Sequence, residues 1–410
     1  MNRAGAILLL LLIAAFGVRL GWAWHQPGDE QTLNNLPDQV EYLSLGRNLL
    51  QHHSLYFYDN RFEQVIYAYR TPGYPFLVAA CAGNLVVIRL VQVLLDTSTI
   101  LAIYLLAKRI SGGNQRLSLL AAGLVAVNPF LIYFSGLILS ETLFTTLLTW
   151  GIYAMAMASG KPIRVGMVLA GGVLLGFAVL VRPSAILLPI LVPMGAVWMN
   201  WSSAGSYHSM RRAFVQSTIC VTITVAMLLP WGIRNQRILG HWVWTTTNSG
   251  ITAYDGFNPQ ATGASDQSFL RNFTGADLKQ MGEVQRSRHL QGLAWRYAIS
   301  HPWRSLELGM SKIARTWSPM PLSNHFGDKG LYVAAALFFS IPFDLLVLAG
   351  LGWGSLRRSA KVFVLIPAIY FTVIHAMSVG SLRYRIPAEP PLAILAAGAV
   401  VRRQSRTEST

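Results

Sequence analysis

Long apolar runs separated by short polar turns fill most of the chain. Ten of these runs approach the ~20 apolar residues that a helix needs to cross a bilayer. Two polar stretches interrupt the series, one at 25–83 and one at 233–330. The pattern predicts a single all-α, polytopic integral membrane domain over residues 1–410, with about ten transmembrane helices and two long loops. The predicted spans are 4–24, 84–107, 117–134, 137–158, 165–181, 183–200, 213–232, 331–353, 361–378 and 387–401.

The amino-acid composition agrees with this class. Hydrophobic residues make up 53% of the 410 residues and charged residues 12%, and the mean hydropathy is +0.43. A soluble domain of this size cannot bury that much apolar surface. Several short loops are basic and hold no acid, and the positive-inside rule places them and both termini in the cytoplasm, so that the two long loops face outward. The basic loops are 108–116, 159–164, 201–212 and 354–361.

Two ionisable residues lie inside the second predicted span. Arg89 and Asp96 are seven residues apart and therefore share one helix face. Ionisable residues at that depth usually face the interior of the bundle or a wet cavity. We expect both to point inward and assign them no chemistry.

The first long loop carries two acids and a tyrosine at a helical spacing. Asp38, Glu41 and Tyr42 lie at i, i+3 and i+4, which places them on one face of a helix predicted over 38–50. The same spacing fits a capping box, in which Asp38 caps the helix and Glu41 closes the box. The spacing alone leaves a structural and a chemical role equally open.

The same loop ends in a turn over 69–75. Two prolines and a glycine keep this turn from forming regular helix. It places Arg70 beside two aromatic residues, Tyr69 and Tyr74. Arginines on the outward side, Arg70 among them, are candidate binding groups for an anion, although long cationic side chains also reach lipid headgroups without any such role.

The second long loop divides into two halves. The first half is rich in turn residues around Asn258. The second half, about 277–317, alternates apolar residues with Arg and Lys and contains three tryptophans. This pattern predicts interfacial helices that lie on the membrane surface.

Other common sites have no signature in the chain. Cys81 and Cys220 fall in different helical segments, so no disulfide is predicted, and the nine histidines show no metal-ligand spacing. The sequence contains no phosphate-cradling glycine loop and no nucleotide fingerprint, and nothing in it predicts a nucleic-acid partner.

The polar turns together resemble one family. An acidic helix after the first span, followed by R-T-P-G-Y-P, is similar to the bacterial relatives of protein O-mannosyltransferases and aminoarabinose transferases, which are GT-C fold glycosyltransferases. Four further segments match that family in order. They are a serine–glutamate turn at Glu141, a glycine-rich helix leading to an R-P turn at Arg182, the motif P-W-x-x-R-N with Arg234, and R-Y-x-x-P with Arg383 and Arg385.

The resemblance implies a site at the outward ends of the helices. The loop around Asn258 also resembles the family's Y-x-G-x-N-P loop. One departure is the acid pair, which is spaced D-x-x-E here and is adjacent in the family. The family uses sugars carried on a polyprenyl phosphate, so the implied partners are that donor, an acceptor glycan, lipid or protein, and membrane lipids.

These features predict roles for individual residues. Asp38 is the predicted general base for an acceptor hydroxyl. In the family, an acid at the turn that corresponds to Glu141 lies opposite the acid of the first loop. Glu141 is therefore expected to orient the acceptor or bind a divalent metal. Glu41 is a third candidate catalytic acid. The leaving group is already a phosphate, so it needs cations more than a general acid. The phosphate-binding candidates are Arg70, Arg182, Arg234, Arg383 and Arg385, and the substrate-binding candidates are Tyr42, Tyr69, Tyr74 and Asn258.

The predicted function is an inverting glycosyltransferase at the outer face of a bacterial inner membrane. A transporter or flippase of lipid-linked sugars would share the cationic outer rim. However, transporters gather charges and broken helices at the membrane midplane in paired halves, and the sequence has no internal repeat. A non-catalytic assembly subunit is a third alternative, and it would not depend on any single carboxylate.

Overall fold

The computed structural model describes residues 3–160, 164–200, 206–271, 273, 277–322 and 330–401. Lys161, one of the basic residues used for the predicted orientation, and the C-terminal segment 402–410 lie outside this part of the chain.

The described residues 3–160 form eight α-helices and one small hairpin. Strands β1 (Phe57–Asp59) and β2 (Gln64–Ile66) pair antiparallel within the first long loop, with Tyr58 opposite Val65. The sequence did not predict these strands. The helices are α1 (Arg3–Trp24), α2 (Glu30–Leu33), α3 (Pro37–His52), α4 (Gly73–Ala80), α5 (Leu85–Ile110), α6 (Gln115–Ala126), α7 (Pro129–Ser135) and α8 (Glu141–Ala158).

From residue 164 onward, the described residues are helical wherever they have regular structure. Its α-helices are α9 (Val165–Val181), α10 (Leu188–Met199), α11 (Ser206–Leu239), α12 (Ser249–Gly256), α13 (Glu283–Ser300), α14 (Pro302–Thr316), α15 (Gly330–Trp353), α16 (Arg358–Ala376) and α17 (Glu389–Val400). Short 3-10 turns lie at Pro183–Ala185, Gln267–Leu270, Leu382–Tyr384 and Ile386–Ala388.

The chain is an integral membrane protein. Five of the described helices, α1, α5, α11, α15 and α16, are long and apolar enough to cross a membrane. The predicted span 117–134 is broken instead: α6 and α7 meet at an angle of 53°. Helix α7 starts at Pro129, and the side chain of Asn128 caps it. The Asn128 side-chain oxygen accepts a hydrogen bond from the backbone amide of Phe130 at 2.9 Å. The other predicted spans are shorter helices, so the count of ten stays a prediction.

Helix α8 forms the centre of the bundle. Almost every residue of α8 is buried, and it packs against α5, α9 and α10. A helix that is apolar on all sides belongs inside a bundle rather than against lipid. Its first residue, Glu141, therefore lies at the buried end of the central helix.

A buried ion pair ties α1 to α5. The Arg19 guanidinium donates through Nε to Asp96, and its other nitrogens donate to the carbonyls of Ala126, at 2.9 Å, and Val125, at 3.2 Å. Arg89 donates instead to backbone carbonyls, including that of Pro27 at 2.6 Å. The structure therefore places Arg89 and Asp96 inside the protein, each in its own structural contact.

The Arg19–Asp96 pair gives a stability prediction. We expect Asp96→Asn to lower the free energy of unfolding by about 3–5 kcal/mol, because it leaves the Arg19 charge buried without a counter-charge. The double variant Arg19→Met/Asp96→Leu should recover most of this loss, since both charges are then gone. Thermal unfolding in detergent checks both, and a double variant no more stable than the single one would contradict the prediction.

Candidate active site

Helix α3 presents its two acids to the turn that follows the hairpin. The helix begins at Pro37, so its N-cap residue is Leu36 and not Asp38, and no side chain caps it. Asp38 Oδ1 instead accepts a hydrogen bond from Arg70 Nη2 at 2.5 Å. Glu41 Oε2 accepts from Arg70 Nε at 2.8 Å and from Nη2 at 2.6 Å. The capping box therefore does not form, and both acids bind one guanidinium.

The turn that carries Arg70 is held against the end of α9. The Thr71 hydroxyl donates to the Val181 carbonyl at 3.1 Å. A Cβ at Gly73 would lie 2.7 Å from the Leu180 carbonyl oxygen. Only glycine permits this approach, which places the turn next to Arg182, the residue that follows α9.

Glu141 contacts two further arginines, Arg383 and Arg182. Its Oε1 accepts from Arg383 Nε at 2.5 Å and lies 3.2 Å from Arg182 Nη1. The N-cap residue of α8, Ser140, makes no side-chain capping bond. Arg383 sits in the 3-10 turn Leu382–Tyr384, and its Nη1 also donates to Asp38 Oδ2 at 3.0 Å. One guanidinium thus joins the first loop to the central helix.

These contacts form a continuous row of alternating charge, which we call the charge row. Its order is Glu41, Arg70, Asp38, Arg383, Glu141 and Arg182. The six residues come from α3, the turn 69–72, α8, the end of α9 and the turn before α17. The two central residues, Asp38 and Arg383, each expose 28% of their side chain, whereas Glu141 exposes none. A ligand can therefore reach the row at Asp38 and Arg383.

The surroundings shift the pKa values of the two α3 acids in opposite directions. Burial acts to raise the pKa of Asp38, but the guanidinium groups of Arg70 and Arg383 outweigh it and hold that pKa well below its ordinary value. Burial raises the pKa of Glu41, and the nearby Asp38 carboxylate adds to this rise while Arg70 opposes it. Asp38 therefore stays ionised, and Glu41 takes up a proton more readily than an ordinary glutamate does.

The hairpin adds a cation that the sequence did not single out. Arg61 Nη2 lies 2.7 Å from Asp59 Oδ2 and 3.6 Å from Glu41 Oε1. Its Nη1 donates to Gln267 at 2.7 Å. No motif or spacing marks Arg61, because its position depends on the hairpin.

The predicted tyrosines surround Arg70. Its guanidinium carbon lies 5.3 Å from the ring centre of Tyr42 and 5.2 Å from that of Tyr69, within cation–π range. Tyr74 packs edge-on against Tyr42, with ring centres 4.8 Å apart, and its hydroxyl donates to Gln92 at 2.6 Å. Tyr42 and Tyr69 thus border the charge row, and Tyr74 packs against Tyr42.

Two predicted phosphate-binding arginines make their contacts elsewhere. Arg234 donates to the carbonyls of Tyr67, at 2.7 Å, and Leu55, at 2.5 Å, and so ties α11 to the first loop. It also borders a cavity of about 270 Å³. Arg385 is buried and donates to Glu389 at 2.8 Å and to Ser340 at 2.9 Å. The structure does not bring either residue into the charge row.

Asn258 fixes the shape of its own loop. Its side-chain nitrogen donates to the Tyr254 carbonyl at 2.7 Å, and its oxygen accepts from the Gln260 amide at 2.8 Å. In the part of the chain that the structure describes, no group of three or more His, Cys, Asp or Glu side chains could hold a metal ion. The predicted alternative role of Glu141 as a metal ligand stays a prediction.

Comparison with known proteins identifies the fold. Residues 76–233 match the family model of dolichyl-phosphate-mannose-protein mannosyltransferases, a stretch that includes Glu141 and Arg182. The oligosaccharyltransferase AglB from Archaeoglobus fulgidus, in complex with an inhibitory peptide and a dolichol-phosphate, is similar over 95% of this chain, with a TM-score of 0.55 and 13% identity. The chain has the GT-C fold. The fold predicted from the sequence is thus confirmed.

Other comparisons define the extent of this similarity. The structure of AglB without ligand also gives a TM-score of 0.55 at 13% identity. The present chain covers 50% of the length of AglB. ArnT from Cupriavidus metallidurans, bound to undecaprenyl phosphate, aligns with 97% of the chain and 78% of its own length, at 15% identity and a TM-score of 0.44. No curated protein sequence matches the chain.

Arg383 supplies a structural prediction for the charge row. We expect Arg383→Ala to lower the free energy of unfolding by about 1–3 kcal/mol, because buried Glu141 loses a charged partner. The matched control is Arg304→Ala, which removes an exposed ion pair with Glu307 and should cost at most about 1 kcal/mol. Thermal unfolding in detergent measures both, and equal losses would show that the row does not stabilise the fold.

Proposed function

We propose that this GT-C protein transfers a sugar from a polyprenyl-phosphate donor to an acceptor hydroxyl of a glycan, lipid or protein. The observation that carries the proposal is the charge row, with Asp38 accessible at its centre between two arginines. AglB, which shares the fold, was solved with a dolichol-phosphate. A row that combines an accessible carboxylate with phosphate-binding cations has both groups that such a transfer needs.

Asp38 is the proposed general base. It is the most exposed acid of the charge row and it is ionised. The acceptor oxygen bonds to the anomeric carbon while its proton passes to Asp38. The bond between that carbon and the phosphate oxygen breaks, and the polyprenyl phosphate leaves with the electron pair. Attack on the face opposite the phosphate inverts the anomeric centre.

Arg70 and Arg383 are the proposed phosphate ligands. They flank Asp38, so a phosphate bound between them lies beside the base. Guanidinium groups bind phosphate oxygens through paired, charge-assisted hydrogen bonds and stabilise the charge that develops on the leaving group. Glu141 then holds Arg383 and Arg182 in place. Arg234 and Arg385 serve the fold in this proposal.

The proposed location is the outward side of a bacterial inner membrane. The charge row includes the start of α8 and the residue after α9. These helices, which the segment 159–164 connects in the sequence, pack against each other, so the last residue of α8 and the first residue of α9 lie at the opposite end of the bundle. That connection is one of the basic, acid-free loops, which favours a cytoplasmic position for it and an outward position for the charge row. A site at one end of the bundle also favours an enzyme over a midplane transporter.

Asp38→Asn tests the proposed base. We expect turnover to fall by a factor of about 10²–10⁴, which is the usual contribution of a general base, while donor binding persists. The measurement is sugar transfer by purified protein from a panel of labelled polyprenyl-phosphate sugars. Asp29→Asn makes the same change at an exposed position of the same loop and should leave turnover near normal. Near-normal turnover of Asp38→Asn would rule out this role.

Arg70 tests the proposed phosphate contact. Arg70→Ala should weaken binding of a lipid-phosphate analogue by about 1.5–3 kcal/mol, the range for hydrogen bonds to charged groups. Arg70→Lys should recover part of this loss, since lysine keeps the charge without the planar fork. Arg237→Ala, which removes an exposed cation at the end of α11, is the control. Unchanged affinity in Arg70→Ala would remove this residue from the donor site.

A further inference from the structure

The charge row is electrically balanced before any ligand binds. Its three carboxylates and three guanidinium groups alternate, so the formal charges cancel. A polyprenyl-phosphate sugar is a phosphodiester with one negative charge. Its arrival would leave four anionic groups around three cations in a partly buried site. An uncompensated charge in such a place is costly, so donor binding requires one acid to give up either its charge or its arginine.

The contacts indicate which acid gives up its charge or its arginine. Asp38 binds two arginines of the row, and so does Glu141. Glu41 lies at the end of the row, binds only one of its arginines, Arg70, and exposes 13% of its side chain. It occupies Nε and Nη2 of the guanidinium that is proposed to bind the donor.

The groups that face Glu41 come from three elements. Asp38 lies one turn before it on α3, Arg70 and Tyr69 come from the turn 69–72, and Arg61 comes from the hairpin. Arg61 is itself bound to Asp59 and to Gln267, so it offers Glu41 only a 3.6 Å contact. Burial and Asp38 both raise the pKa of Glu41. If Arg70 turns to another anion, the main force that keeps Glu41 ionised is lost.

We propose that Glu41 competes with the donor phosphate for Arg70, and that Glu41 takes up one proton when the donor binds. This inference rests on the proposed function, since it assumes a phosphate at Arg70. In this proposal, Glu41 determines how tightly the donor binds and which donor charge the site accepts. A donor linked through a diphosphate carries a second negative charge, which one proton on Glu41 does not balance. The row therefore favours monophosphate-linked donors.

Proton uptake on ligand binding tests this role directly. The probe is a short isoprenyl methyl phosphate, a diester whose own charge is constant between pH 5 and 8. Calorimetric titration of the full chain in detergent, in two buffers of different ionisation enthalpy, counts the protons taken up per ligand. Where Glu41 is ionised in the free protein, we expect an uptake approaching one proton and an affinity that falls by up to about tenfold per pH unit as the pH rises.

Glu41→Gln is the decisive variant. It should bind the probe without proton uptake, with an affinity independent of pH, and more tightly than the wild type at pH 8. The matched control is Glu63→Gln, which removes an exposed carboxylate of the same loop, paired with Lys279, and should keep the wild-type uptake. The isoprenyl methyl diphosphate should bind wild type at least about tenfold more weakly than the monophosphate, and Glu41→Gln should narrow this difference.

The outcomes separate this inference from the proposed function. Binding to wild type without proton uptake, or weaker binding by Glu41→Gln at pH 8, would overturn the role of Glu41 and leave the proposed donor site intact. The second result would mean that Glu41 only positions Arg70. Absence of probe binding by the wild type would overturn both proposals.

Discussion

The site depends on mutual neutralisation of charge at the end of an apolar bundle. Arg383 shows this most directly, because its guanidinium binds Asp38, 345 positions earlier in the chain, and also the buried carboxylate of Glu141. None of these groups is favourable alone beside buried apolar helices. Together they hold the first loop, the central helix and the turn before the last helix in one arrangement. The arrangement that stabilises these segments is also the one that places Asp38, the proposed base, between two cations.

The sequence predicted the parts of this arrangement that are local. Helical spacing placed Asp38 and Glu41 on one face, and the turn residues predicted the turn that carries Arg70. The prediction of no regular helix over 69–75 was wrong at its end, because Gly73, Tyr74 and Pro75 form the first turn of α4, where a proline is tolerated. The apolar runs predicted the membrane helices, although the pair Asn128-Pro129 breaks one of them. The hairpin that holds Arg61 was missed because strands of three residues give too short an alternation to recognise.

The arginines show why motif position alone does not predict function. Arg383 and Arg385 are two residues apart, yet one reaches the charge row and the other pairs with Glu389 at the start of α17. The i, i+4 spacing of Arg385 and Glu389 was visible in the sequence and favours such a pair. Arg234 offered no comparable signal, because its partners are backbone carbonyls of the first loop. A guanidinium can satisfy its donors with carbonyls as well as with phosphate, and only tertiary structure distinguishes the two.

The alternation of charge in the row also explains how one site can be both stable and reactive. A carboxylate held by two arginines is a weak base, since both cations stabilise its ionised form, as the lowered pKa of Asp38 reflects. A phosphate that binds the same guanidinium groups takes over part of their hydrogen bonding and adds a negative charge beside Asp38. Both effects raise the proton affinity of that carboxylate. In the proposed mechanism, Asp38 therefore becomes a stronger base only after the leaving group is in place.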